Sequence, residues 1–136
     1  KSPTAAGRGP RRYRFENMVL WVGRSPRQND LLITRKAGRD DFWFHVREGG
    51  GAHVLLKGAG SAPPLEAIEV AALLAARHSS RKSDSKVEIV FLPAAKVKKP
   101  PGSPPGFVIY HNEMSITVDP ADALPAGLVL LEDLKP

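Results

Sequence analysis

The chain has 136 residues, 42% hydrophobic and 25% charged, a length and balance that suit one soluble globular domain. It contains no cysteine, which excludes disulfides and thiolate chemistry, and no apolar run reaches the length of a membrane span. The net charge of +6 is unevenly spread: residues 1–14 hold five basic residues and no acid, 24–99 hold 14 basic and 8 acidic residues, and 100–136 hold one basic and five acidic. A basic lead-in and a basic centre point toward a polyanionic partner.

In chain order, residues 1–11 are rich in Gly, Pro and Arg and read as a linker or disordered arm, with the folded domain over 12–136. "RYRF" and "MVLWVG" predict a hairpin. "RSPRQN" reads as a turn-rich loop and "DLLITRK" as a further strand. "DFWFHVR" and "AHVLLK" are two more strands, separated by glycines. "LEAIEVAALLAARHSS" is the one convincing helix: Pro63 and Pro64 suit its start, Glu66 and Glu69 its positive end, Arg77 and His78 its negative end. "KVEIVFL" is a strand, "PAAKVKKPPGSPPG" an extended loop, and "FVIYHN" with "SITVDP" a last hairpin around Glu113 and Met114. The tail has no clear period. The expected fold is α+β: a mainly antiparallel, curved sheet of about seven strands, with one principal helix between strands four and five.

The stretch "DDFWFHVREGGGAHVLLK", residues 40–57, concentrates the candidate chemistry. Alternation puts Asp41, Trp43, His45 and Arg47 on one face and Phe42, Phe44 and Val46 on the other. A three-residue loop, Glu48-Gly49-Gly50, would set Arg47 opposite Gly51, Val46 opposite Ala52, His45 opposite His53, Trp43 opposite Leu55 and Asp41 opposite Lys57. A two- or four-residue loop would pair core with polar positions. The expectation is two histidines side by side on an exposed face.

Four chemistries compete for that face. Two His and one Asp suggest a metal, but the spacing matches no known ligand pattern. His45 with Asp41 or Asp30 would make an acid/base pair, without any nucleophile elbow or phosphate loop nearby. A nucleic-acid surface needs cations for phosphates and flat rings for bases; Trp43, His45, His53, Arg47 and Lys57 supply both, joined by Arg24, Arg27 and "KVKK". The bland reading is that Trp43 and His53 fill a second layer beneath the helix.

The run "VGRSPRQNDLLI", "DDFWFHVREGGGAHVLL", "AARHSSRKS", "VKKPPGSPPGFVIY" and "ITVDP" resembles the NFACT-R domain, the RNA-binding module of the NFACT proteins, from Tyr13 to about Pro120. Gly23, Arg24, Asn29 and Asp30 match one family motif, and Asp41, Trp43 and His45 a second. Gly51, His53 and Val54 match a third, with Ala52 in place of serine; Lys98, Lys99, Pro100, Pro105 and Gly106 match a fourth. Gly50 departs from a usual proline, and Phe91-Leu92 from a usual Tyr-Thr.

The resemblance implies the C-terminal domain of a cytoplasmic, ribosome-associated quality-control factor. Such proteins bind obstructed large subunits, recruit tRNA and support template-free C-terminal tailing of the stalled chain. The Lys1 start then reads as the start of a fragment, whose partners would include the other domains of the full-length protein. The expected role is RNA binding without catalysis, cofactor or metal, to tRNA or large-subunit ribosomal RNA and not to a membrane. Arg24, Arg47, Lys57, Lys98 and Lys99 are the expected phosphate contacts; Trp43, His45 and His53 stack or hydrogen-bond; Asn29 bonds a loop backbone or a ribose. Asp30, Asp41 and Gly51 orient the site. The rival reading is a metal- or acid/base-dependent hydrolase centred on Asp41, His45 and His53. A third is a protein-interaction module that docks through the acidic tail, residues 113–136.

Overall fold

The computed structural model describes residues 9–131. Seven strands form one antiparallel sheet: β1 Arg11–Phe15, β2 Met18–Val22, β3 Phe42–Val46, β4 Val54–Lys57, β5 Val87–Pro93, β6 Met114–Val118 and β7 Leu128–Leu130. Their order is β6-β5-β3-β4-β2-β1-β7, with every neighbouring pair antiparallel, so the sheet is open at β6 and β7. Of the predicted arm, residues 1–8 lie outside the described residues, and Arg11 already belongs to β1. Residues 132–136 of the acidic tail also lie outside them; its earlier part supplies β6, which pairs with β5, and β7, which pairs with β1.

The β1–β2 hairpin closes at Phe15 opposite Met18, with Glu16 in the left-handed region at φ 57°. Such a two-residue turn matches the twist of the strands it joins.

Helix α2, Leu65–Arg77, lies between β4 and β5 in sequence and packs on one face of the sheet. Its buried side is largely alanine (Ala67, Ala71, Ala72, Ala75, Ala76), which lets the backbone come close to Phe44, Val54, Leu56 and Ile89. Each fully buried large side chain of this layer contributes about 1.5–3 kcal/mol. The helix ends at His78, whose N–H donates to the Leu74 carbonyl.

Two predicted strands do not form. Residues 26–36 are helical: α1, Pro26–Leu31, continues into a π-helical turn, Leu32–Lys36. Ser25 caps α1 by accepting from the Gln28 N–H, and Pro26 sits at the start, where a missing N–H costs nothing. Leu31, Leu32 and Ile33 are too short an apolar run to reveal their period; burial of Leu32 settles it. "FVIYHN" holds one isolated bridge, Ile109 with Lys98, and forms no hairpin with β6, which pairs with β5.

The predicted register of β3 on β4 is observed, with Phe42 opposite Leu56, Trp43 opposite Leu55 and Phe44 opposite Val54. The ladder stops there, short of the expected His45–His53, Val46–Ala52 and Arg47–Gly51 pairs. Gly51 bridges to Ser79 instead, and the Ala52 N–H donates to the His78 carbonyl at 3.0 Å. The end of α2 captures the loop. A Cβ on Gly51 would lie 2.8 Å from the Ser79 Cα, so only glycine allows this approach.

Candidate nucleic-acid interface

The face expected to be exposed is covered. Trp43 is fully buried, His53 is 2% exposed and Asp41 7%, while His45 is half-buried. The cover comes from the π-helical turn and from the segment after β5. Leu32, Leu55, Val90, Leu92, Ala94 and Val97 surround Trp43 in a second core, flanked by Ile33, Val108 and Tyr110. Trp43 and His53 thus lie in a second layer, on the face away from α2.

The imidazoles of His45 and His53 meet edge to face at 5.1 Å, and the Trp43 ring stacks on His45 at 5.7 Å. The Trp43 indole N–H donates to His53 Nδ1 at 3.0 Å. Burial, followed by the neighbouring His45, pushes the His53 pKa down to about 3, so the ring is neutral at physiological pH. Burial also lowers the His45 pKa. A cleft of about 210 Å³ is lined by His45, Arg47, Phe107 and Tyr110, together with Trp43 and His53.

Asn29 is a buried clamp. Its Oδ1 accepts from the His53 N–H at 3.0 Å, and its Nδ2 donates to the Gly51 carbonyl at 3.3 Å. A Cβ on Gly23 would overlap Oδ1 of Asn29, so the Gly23 and Asn29 of the motif are one fitted pair. Asp30 Oδ1 accepts from the Gly106 N–H at 2.8 Å and pairs with Lys99 at 3.1 Å. Lys99 also donates to the carbonyls of Pro104 and Phe107, pinning the proline-rich loop to α1.

The predicted phosphate contacts divide into two sets. Arg47 pairs with Glu88 at 3.0 Å and Glu113 at 2.9 Å; Lys57 pairs with Asp41 and donates to the Lys36 carbonyl at 2.7 Å; Lys99 is held as above. Asp41 also accepts from the Gly38 N–H at 2.6 Å. Arg24 and Lys98 are exposed, and no ion pair is found at Lys98 among the described residues.

The structure also presents a ring that the sequence reading assigned only to an apolar strand. Trp21 is half-exposed, with the Arg12 guanidinium 5.6 Å and the Lys36 ammonium 5.3 Å from its ring centre. Alternation along β1 and β2 was the available signal: Arg12 pairs with Trp21, and Trp21 with Leu55, on the second face. The half-buried Tyr110, 5.2 Å from Trp43, was missed in the same way.

Among the described residues, no group of three or more His, Asp or Glu side chains is placed to hold a metal. Asp41 stands about 13 Å along the strand from His45, at ~3.3 Å per residue, and its carboxylate is engaged by Lys57 and Gly38. No helix among the described residues is long and apolar enough to cross a membrane.

Residues 12–112 match the family model of the NFACT protein RNA binding domain. The chain belongs to the NFACT RNA-binding domain family. It is 39% identical over 103 residues to the Rqc2 homolog RqcH of Bacillus subtilis, a match covering 76% of this chain and 18% of that protein. A coiled-coil domain-containing protein 25 homolog of Dictyostelium discoideum is 32% identical over 103 residues, covering 72% of this chain and half of the other. Among solved structures, the C-terminal part of the fibronectin/fibrinogen-binding protein of Streptococcus suis superposes with a TM-score of 0.79 at 32% identity, covering 84% of this chain and 46% of that one. The chain thus spans about a fifth of the RqcH proteins it matches.

Proposed function

We propose that this chain is a non-catalytic RNA-binding module of a ribosome-associated quality-control factor, acting in the cytoplasm on tRNA or large-subunit ribosomal RNA. In the whole protein it would serve the binding of obstructed large subunits and the tailing of stalled chains. The observation that carries this reading is the match of 12–112 to an RNA-binding family. The placement of two exposed cations beside a half-exposed ring supports it, Arg12 and Lys36 at Trp21, as does the exposed Lys98.

On this reading the motif residues have two jobs. Asn29, Asp30, Asp41, Trp43, Gly51, His53 and Lys99 form the frame, because their polar atoms or close packing are committed inside the protein. Arg24 and Lys98 contact phosphates, and His45 in its cleft hydrogen-bonds or stacks with a base. Trp21 offers a second ring. Arg47 and Lys57 reach phosphate only by exchanging a carboxylate for it, so they contribute less than their charge suggests.

The test is tRNA binding followed by fluorescence anisotropy across a salt series, with Lys98→Ala and His45→Ala beside wild type. Affinity falls linearly with salt on logarithmic axes, and both variants weaken it while remaining folded. Folded wild-type protein with no affinity for RNA at low salt overturns the reading.

A further inference from the structure

The sheet face that carries α2 runs out to β6 and leaves that strand partly uncovered. Met114, Ile116 and Val118 lie opposite Phe91, Ile89 and Val87, which belong to the core under α2, so all three share that face. Met114 is 46% exposed, and Ile116 and Val118 are half-buried. Among the described residues no strand pairs with the outer edge of β6. The strand reads "MSITV", with no charge and no proline. Edge strands are usually blunted by lysine, proline, a bulge or a cover, because their outer N–H and C=O groups otherwise accept another strand. The opposite edge, β7, is only three residues long.

Beside this edge lies a groove of about 400 Å³. Its floor is apolar, made by Val70 and Leu73 of α2 with Ile116 and Val118 of β6. Its rim is acidic: Glu66 and Glu69 stand on α2, and Asp119 and Asp122 on the segment after β6. None of the lining residues is basic, and among the described residues none of these four carboxylates joins an ion pair. Arg77 holds the same segment through its backbone, donating to the Asp122 carbonyl at 2.6 Å. The dipole of α2 accounts for Glu66 in the first turn, but not for Asp119 and Asp122 on another segment. The rim is opposite in sign to the chain as a whole, which carries +6, and it repels phosphate.

We propose that β6 and this groove dock an extended basic peptide from a protein partner. The peptide adds a strand to the sheet, its backbone bonding the outer edge of β6. Side chains at every second position then turn toward α2. There a lysine or arginine lays its aliphatic stem across Ile116 and Val118 and carries its charge to the acidic rim. A second copy of this chain, paired edge to edge, would bring two acidic rims to one seam, which like charge disfavours. The surface is on the α2 side, whereas Trp21, Trp43 and Leu55 pack in the other layer. The peptide site therefore leaves the proposed RNA surface free and does not depend on the RNA reading.

The probe is an end-capped octapeptide of alternating lysine and valine, titrated at low salt into the isotope-labelled chain. The control peptide carries glutamate in place of lysine. The expected result is saturable amide shifts over 114–118 and 66–73 with the lysine peptide and none with the glutamate peptide. Glu66→Gln/Glu69→Gln changes two exposed side chains and weakens binding about fivefold, as the loss of two exposed ion pairs would. Met114→Lys places a positive charge on the exposed end of the apolar row and also weakens it. Thermal unfolding checks both variants, and the contrast between the two peptides on wild type decides the matter even where a variant unfolds. No saturable shifts in wild type, equal binding of the glutamate peptide, or undiminished affinity in both folded variants overturns the site. Concentration-dependent shifts over 114–118 without peptide assign the edge to a second copy and overturn it too.

Discussion

The indole N–H of Trp43 donates to Nδ1 of His53 across 3.0 Å, inside a layer sealed from solvent. The bond fixes the neutral imidazole with its own proton on Nε2, since Nδ1 must present a lone pair. A proton added at Nδ1 would face the indole N–H directly. The chemistry of this pair is therefore structural: it holds β3 to β4 and sets where His45 stands.

Stability should depend on the pH at which His53 takes up a proton. Its folded pKa, about 3, lies below the unfolded value near 6.5, so the unfolded chain binds more protons between those limits. Stability is full above about pH 6.5 and is lost as pH falls toward 3, by on the order of 1 kcal/mol per pH unit for this group. His45 and His78 shift in the same direction and add to the loss. Urea unfolding at stepped pH measures it. His53→Gln lowers stability at pH 7 but gives a shallower pH slope than wild type; an unchanged slope assigns the effect elsewhere.

Gly23→Ala and Asn29→Ala should not add. The new methyl collides with Asn29 Oδ1, so Gly23→Ala costs about 2–4 kcal/mol alone. With Asn29 already alanine the side-chain collision is gone, leaving the close approach to the residue 29 backbone nitrogen at 3.1 Å, and the second substitution costs less by ~1 kcal/mol or more. Denaturation of the four proteins of the cycle reads this coupling directly.

Lys57→Ala and Lys98→Ala should separate stability from binding. Lys57→Ala strands the nearly buried Asp41 carboxylate and lowers stability by about 1–3 kcal/mol. Lys98→Ala stays within ~0.5 kcal/mol of wild type in stability yet weakens tRNA binding several-fold. Thermal unfolding and anisotropy on the same preparations distinguish them.

Trp21 should respond to RNA while Trp43 does not. In a Trp43→Phe background the remaining fluorescence reports Trp21 alone, and tRNA should quench it. Trp21→Ala weakens binding by an amount in the range of ~1–3 kcal/mol for one stacked base. Quenching confined to Trp43 would contradict this placement.

Much of the architecture was legible because strand alternation and loop arithmetic are local. One core-facing set, Phe42, Phe44, Val54 and Leu56, and one opposite set, Trp43 and Leu55, admit a single register, and that register is present. Helix α2 was equally plain. The helical turn over 26–36 was hidden because what decides it is tertiary: Asn29 bonding His53 and Gly51, and Leu32 entering the second core. The exposure of the motif face was misread for a related reason. Polar side chains usually mark solvent, but here Asp41, His53 and Asn29 are satisfied by Lys57, Trp43 and the backbone, which removes the cost of burying them. Their covers, 26–37 and 94–110, lie too far away in sequence for any local pattern to announce them.

The affinity of the folded chain for tRNA, measured against salt, tests RNA binding most directly. Measurable binding at low salt is expected, falling steeply and linearly on logarithmic axes as several cations displace counterions from phosphates. A folded protein that fails to bind tRNA or ribosomal RNA at low salt, or binds with no salt dependence, contradicts it.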